Sequence, residues 1–133
     1  DPSGLIDLLD KGITPVIAPL AQLESDPSVG LNVNGDVAAA AIAGALGASS
    51  LIIMTDVPGI YRNWPDSSSL ISTISASELS SIKETFAEGM APKVQATLDA
   101  IAAGAHAVRI IDGTNPAALS DALLSRGGTL VTV

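Results

Sequence analysis

Cysteine is absent from the 133 residues, which excludes disulfides, thiolate metal sites and a cysteine nucleophile. Aromatics are nearly absent: Tyr61, Trp64 and Phe86 are the only ones. A composition so poor in them offers no stacking platform of the kind that single-stranded nucleic-acid binders use. Basic residues are scarce as well, 6 against 14 acidic ones, for a formal charge of −8. That balance argues against a polyanionic nucleic acid as partner. A small anion escapes the objection, because local backbone N–H groups and one or two lysines bind it whatever the global charge, and Mg²⁺ screens a nucleotide. No long hydrophobic run is present: the longest, Val37 to Leu46, is too short and too rich in alanine to span a bilayer. No signal peptide opens the sequence, and with the missing cysteines this fits the cytoplasm. The sequence starts at Asp1 without an initiator methionine, as an excised or processed piece would. Neither a GxxxxGK(S/T) phosphate loop nor a GxGxxG fingerprint occurs, so any nucleotide is held by another route.

What is present is 47% apolar residue, mostly Ala, Ile, Leu and Val, a palette suited to close packing of helices on a sheet. The pattern predicts a short helix from about Gly4 to Lys11, a strand at Thr14 to Pro19 and a polar loop holding Asp26, Pro27 and Gly30. Asp36 then opens an alanine-rich helix ending near Gly47, and Leu51 to Met54 reads as a short buried strand. Asp56 to Ser69 reads as a long loop or hairpin. Ser75-Ala76-Ser77-Glu78 matches a capping box and announces a helix to about Glu88. A helix beginning around Lys93 follows, then a strand at Ala107 to Ile111, a turn, a helix from about Pro116 to Ser125 and a strand at Thr129 to Val133. Strands alternating with helices, each continuously apolar, predict an α/β fold: one domain over residues 1–133, a three-layer α/β/α sandwich with a mostly parallel sheet.

Ligands of such sheets bind beyond the carboxyl ends of the strands, which directs attention to a few polar segments. The most informative is Glu88-Gly89-Met90-Ala91-Pro92-Lys93. Proline belongs in the first turn of a helix, and Val94, Leu98, Ile101 and Ala102 recur at helical spacing after it. Lys93 therefore sits beside unpaired N–H groups and the positive end of the macrodipole, where a cation costs about 0.3–1 kcal/mol. A phosphate between them turns both features into an anion clamp; the alternative is a snorkelling surface lysine. Asn32-Val33-Asn34-Gly35-Asp36 puts two amides and a carboxylate at a helix start, more than one cap requires. Thr55-Asp56-Val57-Pro58-Gly59 follows a buried strand and presents a carboxylate where a ribose or base would lie, although Asp, Pro and Gly also make ordinary turns. Asp112-Gly113-Thr114-Asn115-Pro116 reads as a turn with a helix start. His106, the single histidine, has no triad or metal-ligand spacing around it, and the carboxylates are too scattered for a metal site.

Taken together, the segments Gly12-Ile13-Thr14-Pro15-Val16-Ile17-Ala18-Pro19, Asn32 to Asp36, Leu46-Gly47-Ala48, Thr55 to Tyr61, Gly89 to Val94 and Ile110-Ile111-Asp112-Gly113 resemble the amino-acid kinase superfamily. The likeness is to the C-terminal, ATP-binding half of the acetylglutamate kinases, and Tyr61 to Asp66 is similar to an actinobacterial branch. The resemblance implies ATP with Mg²⁺ carried by the nucleotide, and phosphorylation of the side-chain carboxylate of N-acetyl-L-glutamate on the way to arginine. It implies that Lys93 contacts the transferring phosphoryl group, that Asp36 holds the active-site lysines, and that Asn32 and Asn34 bind the acyl amino acid. Thr55, Asp56, Val57, Gly59, Tyr61 and Met90 would line the nucleotide pocket. Phosphoryl transfer needs mainly positioning and charge neutralisation, and these residue types supply both.

The family's N-terminal half, with its glycine-rich phosphate turn and second catalytic lysine, has no counterpart here. The isolated chain is therefore expected to bind ATP–Mg and to turn over poorly, and acetylglutamate becomes a partner when that half is supplied. An apolar face that the half would cover favours a homo-oligomer. Gly35 stands where the family has alanine, and residues 124–129 depart from the tail used for arginine feedback, so the resemblance does not carry arginine control over to this chain. Two alternatives stay open: a non-catalytic nucleotide-binding or structural module of the same fold, and another carboxylate kinase of the superfamily.

Overall fold

A computed structural model describes residues 1–87 and 89–133; Glu88, part of the segment around Lys93, lies outside the described residues. Four strands build the main sheet: β3 (Leu51–Thr55), β4 (Thr73–Ser75), β5 (Ala107–Asp112) and β6 (Thr129–Thr132). Their order is β3-β5-β6-β4. The pairings β3–β5 and β4–β6 are parallel, and β5–β6 is antiparallel, so the sheet is mixed but mostly parallel, as the sequence predicts. Strand β4 was not foreseen, because three residues are too few to display a period.

Strand alternation explains the layers. Val108 and Ile110 of β5 point to one face and join the main core, which also takes Ile53, Ile74, Leu79, Val94, Ala96, Ala100 and Val131. Helices α2 (Gly35–Ala45), α3 (Ala76–Ile82) and α4 (Ala91–Ala102) contribute to that core through Ala40, Ala43, Leu79 and Val94. Small residues let α2 and α4 come close: a Cβ on Gly44 would fall on the side chain of Ala103. Ile111 is buried on the opposite face, as is Ala122 of α5 (Ala118–Leu123), and neither belongs to the main core. Helix α5, which contacts β5, therefore forms the third layer. The turn before β6 is tight enough to demand glycine at 128, where φ is +67° and a Cβ would strike the carbonyl of Ile110.

The first third of the chain departs from expectation. Helix α1 (Ser3–Asp10) forms but buries none of its residues. The predicted strand at 14–19 is absent: residues 13–18 have no regular structure, and Val16 is 98% exposed. Pro15 and Pro19 remove donors from the segment, and no described strand lies beside it to accept a ladder. The expected polar loop is instead a hairpin of β1 (Leu20–Leu23) and β2 (Asp26–Asn32), antiparallel, with Leu20 opposite Asn32 and Leu23 opposite Asp26. Every residue of the hairpin is exposed. A two-stranded edge tolerates Pro27, which a central strand would not.

The capping box is half realised. Ser75 Oγ accepts the N–H of Glu78 at 3.1 Å, whereas the Glu78 carboxylate turns to the guanidinium of Arg62. Helix α3 ends at Ile82 rather than near Glu88 and passes into a 3₁₀ turn at Lys83–Thr85. The hydroxyls of Ser81 and Thr85 donate back to the carbonyls of Glu78 and Ile82 at 2.6 and 2.7 Å. Such back-bonding competes with the α-helical ladder and favours the tighter turn.

Candidate functional site

Parallel pairing brings the carboxyl ends of β3 and β5 together, with Thr55 in register with Asp112. The Gly113 N–H donates to the Thr55 carbonyl at 2.8 Å, which ties the two following loops side by side. The loop after β5 is the turn its residues suggest: Asp112 accepts the backbone N–H of Thr114 at 2.8 Å and its hydroxyl at 2.6 Å. Those bonds, the hydroxyl's foremost, hold the Asp112 carboxyl below the usual aspartate range. The loop after β3 runs differently. It forms one wall of a cavity of about 520 Å³ with Thr55, Asp56, Val57 and Tyr61, and Met90 and Lys93 at the start of α4 form another. That volume lies within the usual range for small-molecule sites.

Lys93 is placed by two features of sequence. Pro92 fixes the first turn of α4, where no side chain caps the helix. Across the α2–α4 contact, Asn34 Oδ1 accepts the N–H groups of Asp36 and Val37 at 2.9 and 3.2 Å. Asn34, rather than Asp36, is thus the cap of α2, and Asp36 falls in the first turn. From there its carboxylate accepts a bond from Lys93 Nζ at 2.9 Å, with side chains only 21% and 22% exposed. Asp36 is the only carboxylate paired with Lys93 among the described residues. Two helix starts converge on the pair, so the local field is positive even though the chain is acidic overall. A carboxylate in the first turn of α2 is favourable, and the lysine opposite remains available to an anion in the cavity.

Six of the residues singled out from sequence therefore line one cavity: Thr55, Asp56, Val57, Tyr61, Met90 and Lys93. Asp36 joins them through Lys93. Gly59 does not line it. Its position is structural, because a Cβ there would press on Thr129 Oγ1 and the Thr129 backbone at 2.5 and 3.0 Å. Asn32 ends β2, exposed, and neither it nor Asn34 borders the cavity. His106 is exposed just ahead of β5.

Sequence reasoning did not place Arg62, Asn63, Trp64, Thr85 and Phe86 at the site; they line the walls too, with Ala87 and with Gly89 of the segment before Lys93. Nothing local marks them. Arg62, Asn63 and Trp64 come into place because residues 60–71 fold back as a hairpin: Ile71 N–H bonds the Ile60 carbonyl at 2.8 Å, Arg62 N–H bonds the Ser69 carbonyl at 3.0 Å, and Tyr61 bridges Leu70. Thr85 and Phe86 are brought in by the 3₁₀ turn at Lys83–Thr85. A second depression, about 410 Å³, lies on the outer side of α4 beside Lys83, Glu84 and Gln95. It holds none of the residues suited to phosphate chemistry that meet at Lys93. Among the described residues no group of three or more histidine or acidic side chains is placed to hold a metal ion, and no helix is long and apolar enough to cross a membrane.

The sequence model of the amino acid kinase family matches residues 1–112. The acetylglutamate kinase of Beutenbergia cavernae is 49% identical over 119 residues, covering 90% of this chain and 38% of its own length. That of Corynebacterium urealyticum is 42% identical over 128 residues, covering 96% and 41%. The chain thus spans about two fifths of the curated relatives it matches. Among solved structures, N-acetylglutamate synthase from Neisseria gonorrhoeae, complexed with coenzyme A and L-arginine, superposes with a TM-score of 0.88 at 29% identity, over 99% of this chain and 30% of that one. Carbamate kinase from Giardia lamblia bound to AMP-PNP superposes with a TM-score of 0.74 at 26% identity, over 98% and 49%.

Proposed function

The chain belongs to the amino acid kinase family, and from that membership we propose that it is the nucleotide-binding part of an acetylglutamate kinase. In the reaction proposed, a side-chain carboxylate oxygen of N-acetyl-L-glutamate attacks the γ-phosphorus of ATP. The bond to the β–γ bridging oxygen breaks, leaving an acyl phosphate and ADP. The observation that carries this is Lys93: a half-buried cation held by Asp36 at the wall of the one cavity that gathers the loop after β3 and the start of α4. Because the fold also occurs in a synthase, fold alone does not argue for phosphoryl transfer. The lysine and the likeness to acetylglutamate kinases do.

Lys93 would neutralise charge on the transferring phosphoryl group, and Asp36 would aim it. A positioned donor of this kind is worth roughly 10²–10³ in rate. Mg²⁺ enters with the nucleotide and supplies further charge neutralisation to the phosphates. Asp56, exposed and next to Thr55, faces the part of the cavity suited to a ribose or base. Support for a nucleotide here also comes from the carbamate kinase, which binds AMP-PNP on a similar fold. Asn32 and Asn34 are proposed for the acyl amino acid; both stand at or beside the start of α2, on the Asp36 side of Lys93. A cytoplasmic setting and a homo-oligomer belong to the same proposal.

A chimera tests the activity. This chain is set in place of the matched segment of the Beutenbergia cavernae enzyme and assayed for acyl phosphate with N-acetyl-L-glutamate, aspartate and glutamate. Transfer to N-acetyl-L-glutamate in clear preference is expected, whereas the 133-residue chain alone should bind ATP–Mg and transfer at background rate. A folded chimera that transfers to none of them, or prefers another acceptor, would contradict the proposal.

A further inference from the structure

The chain has one tyrosine, one tryptophan and one phenylalanine, and all three line the same cavity. Nothing in the fold requires that. The main core contains no aromatic residue of its own, and only Phe86 packs partly against it. Tyr61 and Trp64 meet edge to face, with ring centroids 5.2 Å apart and planes at 69°. That contact braces Trp64, which is nevertheless 61% exposed. A large apolar ring is thus held in place yet left bare at the cavity, with Phe86 supplied by the chain just before α4. The sparse aromatics, which seemed from composition to preclude a stacking surface, are gathered into a small one.

We infer that Trp64, oriented by Tyr61 in a cavity that Phe86 also lines, is the residue that selects a nucleobase there, by stacking on its planar ring. The inference rests on the nucleotide proposal above and deepens it. It divides the site by chemistry: Lys93 answers to phosphate charge, while the aromatic end answers to the base. Stacking recognises any flat heteroaromatic face and is directional through the ring quadrupole. Removing the indole should therefore weaken every ligand that carries a base and spare one that is only phosphate. Because Trp64 is already mostly exposed, its truncation removes little burial from the folded chain.

The test uses the unmutated chain and two variants. The fluorescence of the single tryptophan is followed while ATP–Mg, adenosine or inorganic triphosphate is added, and affinities are measured by calorimetry for the chain, Trp64→Ala and Trp64→Phe. ATP–Mg and adenosine should change the emission, and triphosphate should not. Trp64→Ala should bind ATP–Mg and adenosine about tenfold more weakly, with triphosphate unaffected and Trp64→Phe recovering most of the loss. Equal ATP–Mg affinity in Trp64→Ala, or emission that responds to triphosphate as it does to adenosine, would overturn the role of Trp64 and leave the nucleotide site standing. Failure of the folded, unmutated chain to bind ATP–Mg at all would remove the nucleotide proposal and this inference with it. The fluorescence arm needs no variant, so it decides the matter even if Trp64→Ala does not fold.

Discussion

Lys93→Ala is expected to weaken ATP–Mg binding by about 10- to 100-fold, the equivalent of one lost charge-assisted bond of roughly 1.5–3 kcal/mol. The fold should hardly notice. The pair with Asp36 is part-buried, about one fifth exposed on each side, so its loss lies nearer the roughly 0–1 kcal/mol of an exposed pair than the about 3–5 kcal/mol of a fully buried one. Asp36 is also not stranded by the change, since it keeps a favourable place in the first turn of α2. The two effects therefore separate: calorimetry with ATP–Mg should show a large loss, and thermal unfolding a shift of a few degrees at most. Lys93→Arg should recover charge but not fit, because the planar fork needs a different approach to phosphate than a compact ammonium. Unchanged ATP–Mg affinity in Lys93→Ala would mean that the lysine is only a surface partner for Asp36.

Thr129→Val is expected to produce the largest loss of stability, roughly 2–6 kcal/mol, because two buried backbone groups each lose a partner worth about 1–3 kcal/mol. Thr129 is fully buried at the start of β6. Its hydroxyl donates to the Ile71 carbonyl at 2.6 Å and accepts the Ile60 N–H at 2.8 Å. Valine preserves the volume almost unchanged, so the effect is that of the hydroxyl alone. A domain of this size should show the loss as a fall of roughly 7–20 °C in Tm. Ile60 and Ile71 are the two feet of the hairpin that carries Tyr61 and Trp64 to the cavity. The variant should therefore weaken nucleotide binding as well as stability, and Thr129→Ser should restore much of both. A Tm within 2–3 °C of the unmutated chain, well inside the shift expected from such a loss, would show that the hairpin is held by other contacts.

The legible parts of this molecule were those with strong local signals. The apolar runs at Leu51 and Ala107 formed the parallel pair β3 and β5, and Pro92 set the start of α4 with Lys93 in its first turn. Thr55, Asp56, Val57, Tyr61, Met90 and Lys93 could be singled out together through the resemblance to the family, and the fold brings all six to one cavity. What could not be read depended on neighbours distant in sequence. Thr14 to Pro19 has the composition of a strand but lies beside no described strand, and its prolines cannot make up the difference. Asp26-Pro27 looked like a loop, yet pairing with Leu20–Leu23 made it a strand. Trp64 and Phe86 carry no mark of their role in the linear sequence; the 60–71 hairpin and the 3₁₀ turn after α3 bring them to one cavity.

The measurement that bears most directly on the central claim is the mapping of backbone amide chemical shifts in the labelled chain as ATP–Mg is added. Saturable shifts should concentrate on Thr55 to Val57, Tyr61 to Trp64 and Met90 to Val94, with the exposed hairpin at Leu20–Leu23 and Asp26–Asn32 unmoved. A folded chain that shows no shifts, or whose largest shifts fall on that hairpin or on α5, would contradict a nucleotide site at Lys93.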